Sequence, residues 1–168
     1  MDYFINRKSE KIKYREVRMK KIIVYTSGTF DLFHYGHLNV LKKAKALGNY
    51  LIVGVSTNKL VKLYKGTNPI LNYNQRAAII KELKCVNKVI KQESFFDVKQ
   101  LRPFKIDVIV LGDDWKGKSF PELENALKEL KIKIIYIPYT KRLSTSRIKK
   151  RIIKNSYDIL KTIIERER

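Results

Sequence analysis

The sequence predicts a doubly wound α/β domain built on a parallel sheet, and three features of the chain lead there. Short apolar runs rich in Ile and Val recur along it, over residues 22–25, 50–55, 86–90, 107–111 and 133–137, and most end at a turn residue. Stretches with helical spacing of apolar residues separate them. Strands that alternate with helices in this way form βαβ units, whose crossovers are right-handed almost without exception.

The first run, Ile22-Ile23-Val24-Tyr25, is a buried strand closed by Thr26-Ser27-Gly28. A helix over 37–47 follows, with Leu38, Leu41 and Ala44 on one face and Lys42, Lys43 and Lys45 on the other, stopped by Gly48 and Asn49. After the second strand comes a loop carrying Lys65, then a helix over 74–83. The short strand over 86–90 precedes a weak helix over 95–101. Asp107-Val108-Ile109-Val110-Leu111 ends at Gly112, and a helix over 121–130 has Pro121 in its first turn. The strand over 133–137 ends at Pro138, and a long helix runs from Ser144 to about Ile164. The whole is a single Rossmann-like domain over 20–168 with a C-terminal helical extension, preceded by a basic extension over 1–19.

Composition sets outer limits. The chain has 168 residues, 44% hydrophobic and 32% charged, which suits one globular domain with a sizeable core. No apolar run reaches the ~18 residues of a membrane span, the first twenty residues lack the apolar core of a secretory signal, and Cys85 is alone. The net charge of +21 favours anionic partners without naming one. Residues 141–168 hold ten basic residues against three acidic, but no nucleic-acid motif accompanies them, so nucleic-acid binding ranks as a minor alternative. The Ile stripe of the last helix (Ile148, Ile152, Ile159, Ile163) is expected to pack on the sheet or on a second subunit, with a membrane-surface role the lesser reading.

In open parallel sheets the ligand sits beyond the carboxyl ends of the strands. Beyond the first strand lies Gly28-Thr29-Phe30-Asp31-Leu32-Phe33-His34-Tyr35-Gly36-His37, leading into a helix. His34 and His37, the only histidines of the chain, flank Gly36 at a helix N-terminus, where free N–H groups and the helix dipole favour an anion. The pair could instead be half of a metal site. Zinc would want a third ligand, and Cys85 sits in a Lys-rich stretch with no visible link to the pair, so phosphate binding is the preferred reading.

Gly28-Thr29-Phe30-Asp31 with His34-Tyr35-Gly36-His37 resembles the HxGH signature of the nucleotidyltransferase superfamily. Gly112-Asp113-Asp114-Trp115-Lys116-Gly117-Lys118, and Ser144-Thr145-Ser146 after Tyr139-Thr140, resemble the later motifs of its cytidylyltransferase branch. From about Lys20 to about Ile153 the chain is similar to the glycerol-3-phosphate cytidylyltransferase family. The resemblance implies transfer of CMP from CTP to glycerol 3-phosphate by direct in-line displacement, giving CDP-glycerol and pyrophosphate. It implies catalytic roles for His34, His37 and Lys65, and nucleotide contacts from Thr29, Phe30, Gly36, Arg76, Asp114, Thr140, Arg142, Ser144 and Thr145. It further implies Mg²⁺ accompanying CTP, a homodimer, and a product destined for a cell-surface polymer such as teichoic acid; the sequence shows no carboxylate cage for the metal, and without a signal peptide, membrane span or disulfide the chain is expected to be cytoplasmic.

The chain departs from the family pattern in places. Tyr139 stands where the family has the arginine of RTxGxST, and Arg142 stands at its glycine, so Arg142 or Lys141 is expected to replace the lost guanidinium. Lys84 replaces a family arginine, and Lys99 is the nearest candidate for the lysine beside the acceptor phosphate. Phosphocholine or phosphoethanolamine as acceptor, and ATP as donor, are the alternatives within the superfamily.

Overall fold

The computed structural model describes residues 20–95, 98–117, 125 and 127–166. The expected basic extension over 1–19 lies outside them. Five strands form one parallel sheet: β1 (Ile23–Gly28), β2 (Tyr50–Ser56), β3 (Lys88–Gln92), β4 (Val108–Gly112) and β5 (Lys133–Ile137). Their order across the sheet is β3-β2-β1-β4-β5, so the direction of winding reverses between β1 and β4. That order is the doubly wound arrangement, and it opens a crevice at the carboxyl ends of the two central strands.

The alternation within the strands is what builds the core. Val24, Leu51, Val53, Val55, Val108 and Val110 face one side of the sheet and pack with Leu41 and Ala44 of helix α1 (Tyr35–Lys45) and Ile80 of helix α3 (Tyr73–Lys81). Tyr25, Ile52 and Ile109 face the other side and pack with Leu101, Ile106 and Leu127. Both faces are covered, which is why these strands read as continuous apolar runs rather than as alternating ones.

The sequence reading leaves residues 58–65 in a loop, whereas the structure has helix α2 (Asn58–Lys65) there. Thr57 caps it by accepting the Leu60 N–H, Gly66 ends it at φ 72, and Leu60 and Val61 are buried beneath it. Leu60, Val61 and Tyr64 share one face at helical spacing, with Lys59, Lys62 and Lys65 on the other, so the sequence carried the signal and the reading passed over it. Of the weak helix expected over 95–101, residues 98–101 are helical as α4 (Val98–Leu101), and one 3₁₀ turn follows over Arg102–Phe104. Of the helix expected over 121–130, residues 125 and 127–130 are described; 125 and 127–129 are helical and 130 is a turn.

Helix α5 (Thr145–Arg166) runs for 22 residues, and none of them is buried. The expectation that its Ile stripe packs on the sheet is therefore not met: the sheet's faces are already filled, and only the first turns of α5 reach the rest of the domain.

Leu41 is fully buried between α1 and the sheet. Leu41→Ala is expected to lower unfolding free energy by about 2–5 kcal/mol, read by urea denaturation, because the sheet beneath it cannot collapse into the cavity.

Candidate active site

A cavity of about 460 Å³ opens at the carboxyl end of the sheet, lined by residues from the exits of all five strands. The loop after β1 contributes most. Here Phe30 and Leu32 adopt left-handed backbone, at φ 54 and 46, which folds the loop back over the strand end. His34 then caps α1: its Nδ1 accepts the Gly36 N–H at 3.1 Å. With Nδ1 occupied as an acceptor, the proton of the neutral ring sits on Nε2. The His37 ring stacks on that of His34 at 3.8 Å between centroids, tilted by 17°. Phe30 meets it edge-on at 5.4 Å, and Phe33 lies at 5.6 Å.

These contacts keep both rings neutral. Burial lowers the pKa of His34. Burial, with His34 and Lys65 nearby, brings His37 down to about 3. The Nδ1 of His37 is buried and makes no hydrogen bond. Position 36 is a glycine for a steric reason: a Cβ there would stand 2.9 Å from His34 Cε1 and 3.0 Å from its Nδ1.

Asp31 anchors this loop. Its carboxylate, 3% exposed as a residue, accepts the N–H groups of Ile70 and Leu71 at 3.0 Å each and pairs with Lys149 of α5 at 2.9 Å. Its carbonyl accepts the Thr145 hydroxyl at 2.9 Å. Burial pushes its pKa up, but the Leu71 and Ile70 N–H groups and the Lys149 ammonium outweigh that and hold it below the ordinary value. Tyr64 at the end of α2 shares a short hydrogen bond with the Thr29 hydroxyl, and its ring meets Phe95, which in turn meets Trp115 at 5.7 Å.

The opposite wall comes from the exits of β4 and β5. Asp114 lines the cavity while Asp113 does not. Burial and the Asp114 carboxylate, to which the hydroxyl donates a hydrogen bond, push the Tyr139 phenol up, so it stays protonated. Thr140 is reached from α1 by Asn39 at 3.2 Å. Ser144 precedes α5 and accepts the Arg147 N–H at 3.3 Å, leaving its own hydroxyl proton free to donate. At the back, Gln92 bridges Ser56 at 2.8 Å and Ser27 at 3.1 Å, which ties together the ends of β3, β2 and β1.

The structure thus gathers Thr29, Phe30, His34, Gly36, His37, Lys65, Asp114, Thr140, Ser144 and Thr145 around one cavity. Two expected residues stand apart. Arg76 is fully buried beneath the loop and does not line the cavity; its guanidinium donates to the carbonyls of Thr29 at 2.6 Å and Leu71 at 2.9 Å and to Asn58 Oδ1 at 2.8 Å. Arg142 is exposed, sits at φ 62 and lies outside the cavity lining, as does Lys141. Neither therefore reaches the place that Tyr139 occupies. Among the described residues Lys65 is the only Lys or Arg that lines the cavity. The side chain of Lys99 lies outside the described residues.

Sequence reasoning passed over Asp31, Tyr64 and the Ser27–Gln92–Ser56 bridge. Asp31 was visible as part of the motif, but its partners are 39 to 118 positions away (31 to 70, 31 to 149) and carry no local signal.

A parallel sheet wound in this order, with paired imidazoles at the first strand exit and a hydroxyl-bearing helix N-terminus facing them, defines a nucleotidyltransferase-type domain. Residues 25–151 match the Cytidylyltransferase-like family, and the chain belongs to it. It is 44% identical to the glycerol-3-phosphate cytidylyltransferase of Bacillus spizizenii over 79% of this chain and 96% of that one. It is 40% identical to the FAD synthase of Thermococcus sibiricus over 82% of this chain and 94% of the relative. The lipopolysaccharide core biosynthesis protein of Thermoplasma volcanium superposes with a TM-score of 0.60 at 32% identity, covering 74% of this chain and all of that structure.

The neutral His37 has a consequence for stability. Its pKa falls from 6.5 in the unfolded chain to about 3 on folding, so below pH 6.5 the unfolded state binds the extra proton and stability drops as pH falls. Denaturation midpoints are expected to decline from pH 7 to pH 5 in the native chain, and His37→Gln to flatten that decline.

Proposed function

We propose that the chain transfers CMP from CTP to glycerol 3-phosphate, releasing pyrophosphate and giving CDP-glycerol, an activated donor for a cell-surface polymer. The observation that carries the reading is the stacked, neutral His34–His37 pair at the N-terminus of α1, open to a cavity that α5 faces from the other side. The relatives' names support the choice of substrates.

In the proposed reaction a phosphate oxygen of glycerol 3-phosphate attacks the α-phosphorus of CTP in line. The bond from that phosphorus to the bridging oxygen breaks, and pyrophosphate leaves with the electron pair. Little bond-making falls to the protein, so its work is positioning and charge neutralisation. The Nε2–H of His34 is held as a donor by the Gly36 contact, and His37 is fixed against it by stacking. Rings that are neutral when the site is empty gain affinity for a proton as the triphosphate enters, because its negative charge offsets the burial that lowered their pKa values. Lys65 supplies a full positive charge at the cavity wall, and the α1 and α5 N-termini add N–H dipoles from two sides. The backbone of Thr29 and Phe30 holds the nucleotide, and Arg76 acts through it by fixing the Thr29 carbonyl from below. Asp114, Thr140 and Ser144 line the wall where sugar and phosphate hydroxyls or oxygens need partners.

Mg²⁺ enters this scheme with CTP as part of the substrate. Among the described residues no group of three or more His, Cys, Asp or Glu side chains is gathered to hold a metal ion, whereas the triphosphate brings its own oxygen ligands. A cytoplasmic homodimer belongs to the same reading. Among the described residues no helix is long and apolar enough to cross a membrane.

The test is pyrophosphate release with Mg²⁺, crossing CTP, ATP, UTP and GTP against glycerol 3-phosphate, phosphocholine and phosphoethanolamine. Turnover is expected with CTP and glycerol 3-phosphate, and His37→Ala should lower kcat by about 10²–10³-fold. Turnover confined to ATP, or to another acceptor, would refute the substrate assignment. Gly36→Ala, which must push the His34 ring aside, is expected to cost about 10²-fold in kcat/KM with little change in the unfolding midpoint.

A further inference from the structure

Helix α5 serves the site only through its first turns. Thr145 donates to the Asp31 carbonyl and Lys149 pairs with its carboxylate, both before residue 151, where the family match ends. Beyond that point the helix continues to Arg166 without a buried residue. At 3.6 residues per turn, Ile152, Ile153, Tyr157, Ile159, Leu160, Ile163 and Ile164 fall on one arc of about half the circumference. All are exposed, from 45% at Ile163 to 70% at Ile153. The complementary arc carries Arg147, Lys150, Arg151, Lys154 and Lys161 against Asp158 and Glu165, and Glu165 lies 3.8 Å from Lys161 of the same helix.

We propose that this outer part of α5 lies flat on an anionic lipid surface, with its apolar arc among the acyl chains and its basic arc at the headgroups. Charge decides between lipid and a second copy of the chain. A copy would bring another strongly basic helix, and both acidic side chains sit in the middle of the polar arc, too far from the apolar edge to pair across a two-fold seam. The arc is also wider than the narrow a/d seam of a two-helix pairing. An anionic bilayer meets both features: acyl chains take a broad apolar face, Lys and Arg stems reach up to the headgroups, and Tyr157 stands at the edge of the arc where an amphipathic ring is at home.

The experiment is flotation of the full chain with vesicles of phosphatidylcholine alone and of equal parts phosphatidylglycerol and phosphatidylcholine. Binding is expected to the anionic vesicles. Ile159→Ser with Ile163→Ser keeps every charge, and should reduce the partition coefficient by at least about tenfold while turnover in vesicle-free solution is unchanged. Ile153→Ser with Leu160→Ser, on the same arc, should reproduce the loss. Undiminished binding by both variants would mean that general attraction of a basic protein is responsible and would overturn the proposal. So would absence of binding by the native chain. Light scattering supplies a third decision: an oligomer that both variants dissociate would assign the arc to a second copy instead.

Discussion

A single buried carboxylate organises the catalytic end of this molecule. Asp31 receives two backbone N–H groups from the segment ahead of α3 and one ammonium from α5, while its carbonyl takes the Thr145 hydroxyl. Three parts of the chain far apart in sequence therefore meet at one residue of the β1–α1 loop. A buried carboxylate without partners would cost several kcal/mol, so the partners are obligatory and the loop has one conformation open to it. Three residues on, that conformation delivers His34 to the N-terminus of α1.

Around the anchor, polar groups hold the frame while the cavity itself is kept sparing in charge. Arg76 is consumed by the Thr29 and Leu71 carbonyls and Asn58, and the Tyr139 hydroxyl by Asp114. A chain of net charge +21 thus presents to its cavity, among the described residues, one lysine and two neutral imidazoles. The consequence is a site whose positive potential comes from Lys65, the helix dipoles and the surrounding surface.

Helix α5 has two roles along its length. Its first turns complete the site through Ser144, Thr145 and Lys149. Its outer turns contribute nothing to the core, and their apolar arc faces outward. The junction between the two regimes falls close to where the family match stops.

The sequence by itself determined the sheet, because buried parallel strands must be apolar on both faces and so announce themselves as Val- and Ile-rich runs. It also determined the motif residues beside the first strand, since spacing on one loop and one helix fixes their common location. What it left open was the use of charge. Nothing near Arg76 distinguishes an exposed phosphate contact from a buried strut, because its partners Thr29 and Asn58 are 47 and 18 positions away. The same holds for Arg142, which has left-handed backbone and lies outside the cavity lining. Helix α2 was legible in the spacing of Leu60, Val61 and Tyr64 but was passed over, and the outward face of α5 escaped because periodicity reports amphipathicity without saying what covers it. Hydrophobic pattern is local and survives in one dimension; the pairing of a charge with its partner exists only once distant segments are brought together, and here that meeting is made at Asp31.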